Sequence, residues 1–396
     1  MDDVQTNHLK AYGFTYWVLQ QDIEAYWLLN YRGGGFMYKY AQAFENELIV
    51  RGIKYEVISD ATSNAVLVQI ASPEANMDAV KLEKPPKIAV YSPKTKQPWD
   101  DAVTMVLTYS EIPYTVIFDE EILTGQLSKY DWLHLHHEDF TGQYGKFYSS
   151  YHNQPWYIKE VQEAENMAAK FNIKKVSKLK LEVVKKIREF IVGGGFLFAM
   201  CAATDTYDIA LAAENTDICE YMYDGDAADP NATRKLNFEP TFAFKNFQII
   251  MDPMAYEYSN IDSRPNIQPD IIDEKSDYFT LFQFSAKWDP VPTMLTQCHQ
   301  TNIKGFMGQT TAFRKSLIKA EVLVMGENKQ LSEARYIHGD FGKGFWTFYG
   351  GHDPEDYKHH VGEEPTDLNL HPNSPGFRLI LNNILFPAAK KKKQKT

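Results

Sequence analysis

The sequence predicts an α/β fold in which a parallel sheet is covered by helices. Three observations lead there. Strand-like and helix-like patterns alternate along much of the chain. A long helical region keeps its apolar positions at helical spacing, with Leu181, Val184, Ile187, Phe190 and Ile191 on one stripe. That region ends at Gly193-Gly194-Gly195, as helices commonly end in glycine, and runs straight into the apolar strand 196–200 (FLFAM).

Taken in order, the chain opens on a helical pattern (Leu9, Tyr12, Phe14, Tyr16, Val18, Leu19) with no strand before it. This suggests a first strand, and with it an export signal, upstream of Met1. A strand at 25–29 (AYWLL), a helix over 38–51 and a strand at 55–58 follow. The glycines of Asn30-Tyr31-Arg32-Gly33-Gly34-Gly35 could let a backbone approach an anion. Their spacing fits neither a P-loop nor a dinucleotide fingerprint, so a flexible loop is expected. Pro85-Pro86 marks a boundary, and segment 1–84 reads as an N-terminal α/β unit.

The core begins after it: strand 87–91, helix 99–109, strands 114–118 and 131–136, helical pieces 156–171 and 179–192, then strand 196–200. Thr204 or Asp205 can cap a helix running to 213. Residues 214–312, rich in Asp, Asn, Pro and aromatics, read as an insertion outside the core, which resumes over 313–386. There, strand 321–325, a hairpin of 335–338 and 345–349, and a last helix at 376–385 are expected. Residues 387–396, with Lys390 to Lys393, read as a solvated, disordered basic tail.

Composition narrows the function classes. A net charge of −11 argues against a general nucleic-acid partner, which requires a basic footprint. Three cysteines in 396 residues make no disulfide framework. No run of about 18 apolar residues spans a membrane. The 24 Phe, 24 Tyr and 7 Trp fill a core, and the same rings line pockets for flat or sugar-like ligands. A small-molecule substrate is the expected partner, and no cofactor is expected.

Ligands of open parallel sheets bind at the carboxyl ends of the strands, and three groups of reactive residues fall there. Cys201 sits between an apolar strand and a helix start, where a helix N-terminus favours the thiolate; the bland alternative is a small buried hydrophobe. His352, beside Asp353 and Glu355, can serve as general base and acid, with a carboxylate fixing its tautomer; the alternative is a loop histidine. If Cys201 and His352 are a pair, sulfur and ring should lie within about 4 Å and the thiol should be partly ionised. His136, His137, Glu138 and Asp139 follow a strand, with His134 on it, and form a candidate ligand-binding group, as does Thr204. They match no known metal spacing, so no metal is expected; as a metal site, at least two of the four should point at one centre.

The run from Gly193 to Cys201, followed by small residues, resembles the nucleophile elbow of class I glutamine amidotransferases. The hairpin carrying Gly342-Lys343-Gly344 into Gly351-His352 is similar to the end of those domains, and closer to their trehalose-utilisation relatives. The resemblance implies a flavodoxin-like, class I glutamine amidotransferase-like core, with Cys201 as nucleophile, His352 as its partner and Glu355 or Asp353 as the orienting acid. Ala199 and Ala203 stand where the family's elbow has glycines. From Gln5-Thr6-Asn7-His8-Leu9-Lys10-Ala11-Tyr12-Gly13 to the block His352-Asp353-Pro354-Glu355-Asp356-Tyr357, the whole chain also resembles a bacterial family labelled asparagine synthetase B, whose members are longer at the N-terminus and look exported. That label implies glutamine-dependent amide transfer, but no S-G-G-x-D-S loop is present. Cysteine-dependent hydrolysis of a small amide is the leading expectation, and a non-catalytic ligand- or carbohydrate-binding domain its rival.

Overall fold

The computed structural model describes residues 1, 4–94, 97–264 and 273–390. Its strands, in chain order, are β1 (Ala25–Leu29), β2 (Gly35–Tyr38), β3 (Asp78–Leu82), β4 (Ile88–Tyr91), β5 (Thr115–Ile117), β6 (Trp132–Leu135) and β7 (Phe196–Met200). They continue as β8 (Tyr278–Leu281), β9 (Asn302–Lys304), β10 (Phe313–Arg314), β11 (Leu323–Asn328), β12 (Glu333–Phe341) and β13 (Gly344–Tyr349). The main sheet has the order β5-β4-β6-β7-β13-β12-β11-β8-β9, with β10 attached to β12. From β5 to β13 neighbours pair in parallel, and beyond β13 they pair antiparallel. The α/β expectation therefore holds, with a sheet that is parallel on one side and antiparallel on the other.

β7 lies inside this sheet, between β6 and β13. Leu197 to Met200 are buried, which an interior strand covered on both faces requires. The helix Val176–Gly193 turns its apolar stripe inward, and Val183, Val184, Ile187 and Ile191 are buried. It ends at Gly194 with φ 118°, and Gly195 N–H returns to the Phe190 carbonyl at 3.0 Å. The β12–β13 hairpin packs backbone to backbone on this helix end. A side chain at Gly344 would stand 2.1 Å from Gly195 O and 2.3 Å from Ile191 O, so only glycine fits.

Several expectations are corrected. Residues 55–58 form no strand: both edges of β1 are taken, by β2 and β3, and this stretch has no ladder partner among the described residues. The segment expected as one helix over 38–51 begins as the end of β2, and the helix is Gln42–Val50. The N-terminal sheet is antiparallel throughout. It shares the core: Leu9, Trp27 and Leu82 belong to the same apolar cluster as Phe198 and Phe348. Tyr12 also donates a hydrogen bond of 2.5 Å to Asn382 in the helix Pro375–Leu385.

Residues 214–312 do not stand outside the sheet, since they supply β8 and β9. A buried ionic cluster ties them to β12. Arg335 reaches Asp277 at 3.0 Å and Glu333 at 3.2 Å, and Arg264 reaches Asp277 at 2.6 Å. Arg335 also donates to the carbonyls of Phe306 (2.8 Å) and Thr311 (3.1 Å). The expected tail is ordered at its start: Phe386–Ala388 form a 3-10 turn and Ala389 bridges Leu82, while residues 391–396 lie outside those described.

Candidate functional site

Parallel strands point their carboxyl ends one way, so the loops after β4, β6, β7 and β13 meet along one rim. After β4 come Asp100 and Asp101; after β6, His136, His137 and Glu138; after β7, Cys201; after β13, His352 and His359.

Asp101 is the N-cap of the helix Ala102–Tyr109, which is why that helix starts there and not at Trp99. Its Oδ1 accepts the Thr104 N–H at 2.8 Å. Its Oδ2 is then aimed at two imidazoles: His134 Nε2 donates to it at 3.1 Å, and His136 Nδ1 lies 3.3 Å away. Burial alone would raise the Asp101 carboxyl, but His134 and His136 overcome this and hold it well below the carboxylate range. His136 donates its Nε2–H to the carbonyl of His352 at 3.1 Å, and the two rings stack with centroids 4.3 Å apart. His352 donates its Nε2–H to Asp100 at 3.3 Å and stacks on His359 at 3.8 Å. Burial, with His136 adding to it and Asp100 opposing, depresses His352 to about 3. His359 Nδ1 faces Asp100 (3.5 Å), Asp356 (3.4 Å) and Glu363 (3.2 Å).

The cluster expected after β6 divides. Glu138 Oε2 accepts the His136 N–H at 2.8 Å, its Oε1 lies 3.9 Å from His137, and burial pushes its carboxyl up to about 8. Burial likewise holds His137 well below its ordinary value. Asp139 belongs to the loop and not to the site. It accepts Thr141 N–H (2.6 Å), Gln143 N–H (2.9 Å) and Gly145 N–H (3.1 Å), organising a turn in which Tyr144 and Lys146 have positive φ. Next to His137, Trp99 stacks on Phe147 at 5.1 Å and meets Trp156 edge-on at 5.4 Å, forming an aromatic wall.

Cys201 turns the chain from β7 into the helix Ala202–Ala212 with φ 48° and ψ −138°. The helix therefore starts before Thr204, whose hydroxyl donates to the Cys201 carbonyl at 2.7 Å. Cys201 is 3% exposed, and its sulfur accepts the Gln309 N–H at 3.3 Å. Burial pushes the thiol up to about 11, outweighing the backbone amides of Thr310, Gln309 and Ala202. The partly ionised thiol is thus not the state of this fold. Among the described residues no hydrogen bond joins Cys201 to an imidazole.

The orienting acid is also corrected. Glu355 pairs with His371 at 3.1 Å, and Asp353 turns back on the Glu355 N–H at 2.8 Å. The carboxylate beside His352 is Asp100. Sequence reasoning missed Asp100, Asp101 and His359. Their signals were a pair of acids in the loop after a core strand and a second histidine pair, His359-His360, seven residues beyond His352.

No family model and no curated protein matches the sequence. Among solved structures, the chain is similar to two cytoplasmic proteins of Salmonella typhimurium. One has TM-score 0.37 and 10% identity, the other TM-score 0.35 and 9% identity, each over 77% of this chain and 100% of the other. A GH42 beta-galactosidase of G. stearothermophilus matches at TM-score 0.28 and 12% identity, over 68% of this chain and 28% of the enzyme.

Proposed function

We propose that this chain is a hydrolase of small amides on an amidotransferase-like, flavodoxin-like core, with Cys201 as its nucleophile. The observation that carries this reading is the Cys201 backbone, φ 48° and ψ −138°, at the junction of an interior strand and a helix. That conformation costs a residue with a side chain about 1–3 kcal/mol. It recurs where a nucleophile must be thrust out at a strand-to-helix turn. A cysteine that only filled space would need no such backbone. The N–H groups of Ala202, Gln309 and Thr310 gather at the sulfur, where an oxyanion formed by attack would need donors.

In this reading the resting thiol is covered by residues 306–311 and becomes reactive when they move aside. Gln309 Nε2 holds that cover to the Gly145 carbonyl at 2.7 Å. A second reading, a binding domain without chemistry for a flat or sugar-like ligand, is favoured by the protonated thiol and the aromatic wall of Trp99, Phe147 and Trp156. Iodoacetamide labelling of the Gln309→Ala variant separates the two. The hydrolase reading expects Cys201 to react faster than in the wild type and faster than Cys219. Labelling as slow as the wild type would leave the binding domain.

A further inference from the structure

We propose that the rim binds two divalent transition-metal cations of the zinc class, one held by Asp101, His136 and His137 and the other by Asp100, His352 and His359. The candidate ligand atoms of each trio lie within 4.8 Å of one another. At metal–ligand bonds of about 2.0–2.2 Å, ligands around one ion stand roughly 3–4 Å apart, so each trio needs little adjustment. Each offers two imidazoles and one carboxylate, the borderline donor set that zinc and its neighbours prefer over magnesium or calcium. The two trios adjoin through the consecutive residues Asp100 and Asp101 and through the stacked rings of His136 and His352.

The hydrogen bonds point the same way. His136 is fully buried and spends its Nε2–H on the His352 carbonyl, the support a metal-bound histidine commonly has. Its other ring nitrogen, Nδ1, lies 3.3 Å from Asp101 Oδ2, the separation of two ligand atoms on one ion. Among the described residues, neither ring nitrogen of His137 has a hydrogen-bond partner, and nor has either of His359, although three carboxylates surround its Nδ1. Glu138, 7% exposed, has no hydrogen-bond partner for Oε1 among the described residues, beside His137. A buried polar group without a partner is destabilising, and several in one place exceed what a plain ion-pair network would leave unmet. A third group, Asp217, Cys219 and Asp224, makes the contrast: the Lys175 ammonium reaches Asp217 at 2.6 Å and Asp224 at 3.0 Å and serves as its cation.

This inference stands apart from the role of Cys201, and its test reads binding and not turnover. The full chain is stripped with chelator, returned to zinc, desalted and analysed for metal, with Co²⁺ titrated in parallel and its visible absorption followed. Two equivalents of zinc per chain are expected, with a Co²⁺ spectrum of histidine and carboxylate ligation. His137→Gln and His359→Gln should each lose one equivalent, and Asp217→Asn should keep both. Less than about 0.2 equivalent in the folded wild type, or histidine variants that retain both equivalents, would overturn the proposal. If a variant fails to fold, the wild-type stoichiometry and Co²⁺ spectrum still decide.

Discussion

Replacing Arg335 with methionine probes the link between the 214–312 segment and the cover over Cys201. The Arg335 side chain is 1% exposed, and its guanidinium reaches Asp277, Glu333 and the carbonyls of Phe306 and Thr311. Methionine keeps most of the buried stem, so packing changes little and the lost charge dominates. Two buried carboxylates then share Arg264 alone, and two carbonyls lose their donor. Breaking a buried pair by removing one partner costs roughly 3–5 kcal/mol. At a urea slope of roughly 3 kcal/mol per molar, the midpoint should fall by about 1–2 M. Phe306 and Thr311 bracket the segment over the thiol, so Cys201 alkylation should also accelerate, about tenfold for each 1.4 kcal/mol by which closure weakens. A midpoint shift under about 0.3 M, with unchanged alkylation, would refute the claim that this cluster holds the cover in place.

Other outcomes follow from individual groups. Asp205 is buried and accepts the Thr310 hydroxyl at 2.8 Å, and burial raises its carboxyl to about 8. The folded chain therefore holds a proton that the unfolded chain releases near pH 4, and stability from this group is lost as pH rises through about 8. Asp205→Asn keeps the acceptor and cannot ionise, so its stability should change less between pH 5 and 8 than the wild type's; parallel profiles by urea denaturation would contradict this. Gly344→Ala places a methyl against two backbone oxygens and should cost at least about 1–3 kcal/mol in the same assay. Asp100→Asn removes the charge beside His352, so the ring's pKa, followed by NMR, should move further down; a rise would contradict the pairing.

How far the sequence could be read follows from what each feature depends on. The core strands β4, β6, β7 and β13 were visible because a strand buried on both faces is apolar at most of its positions, whoever its neighbours are. Residues 55–58 carry the composition of a strand, yet pairing depends on a free edge, and β2 and β3 had taken both edges of β1. β8 and β9 were hidden inside a polar segment because each is short and has one exposed face. The sequence places Cys201, His136, His137 and His352 after strands, and the structure sets all four along one rim. Asp100 and Asp101 were missed because acids before a helix are common caps, and Asp101 is one. Only the fold reveals that its second oxygen looks into a group of histidines. The pairing of His352 with Glu355 or Asp353 failed because closeness in sequence does not fix direction, and that loop turns both carboxylates away.

The nucleophile assignment is tested most directly by ammonia release from a panel of small primary amides, measured with the wild type and Cys201→Ala side by side. The account predicts turnover of at least one amide by the wild type, falling at least about a thousandfold in the variant, as removal of a covalent nucleophile does. Equal turnover by the two proteins, or none by either with every amide tried, would contradict it.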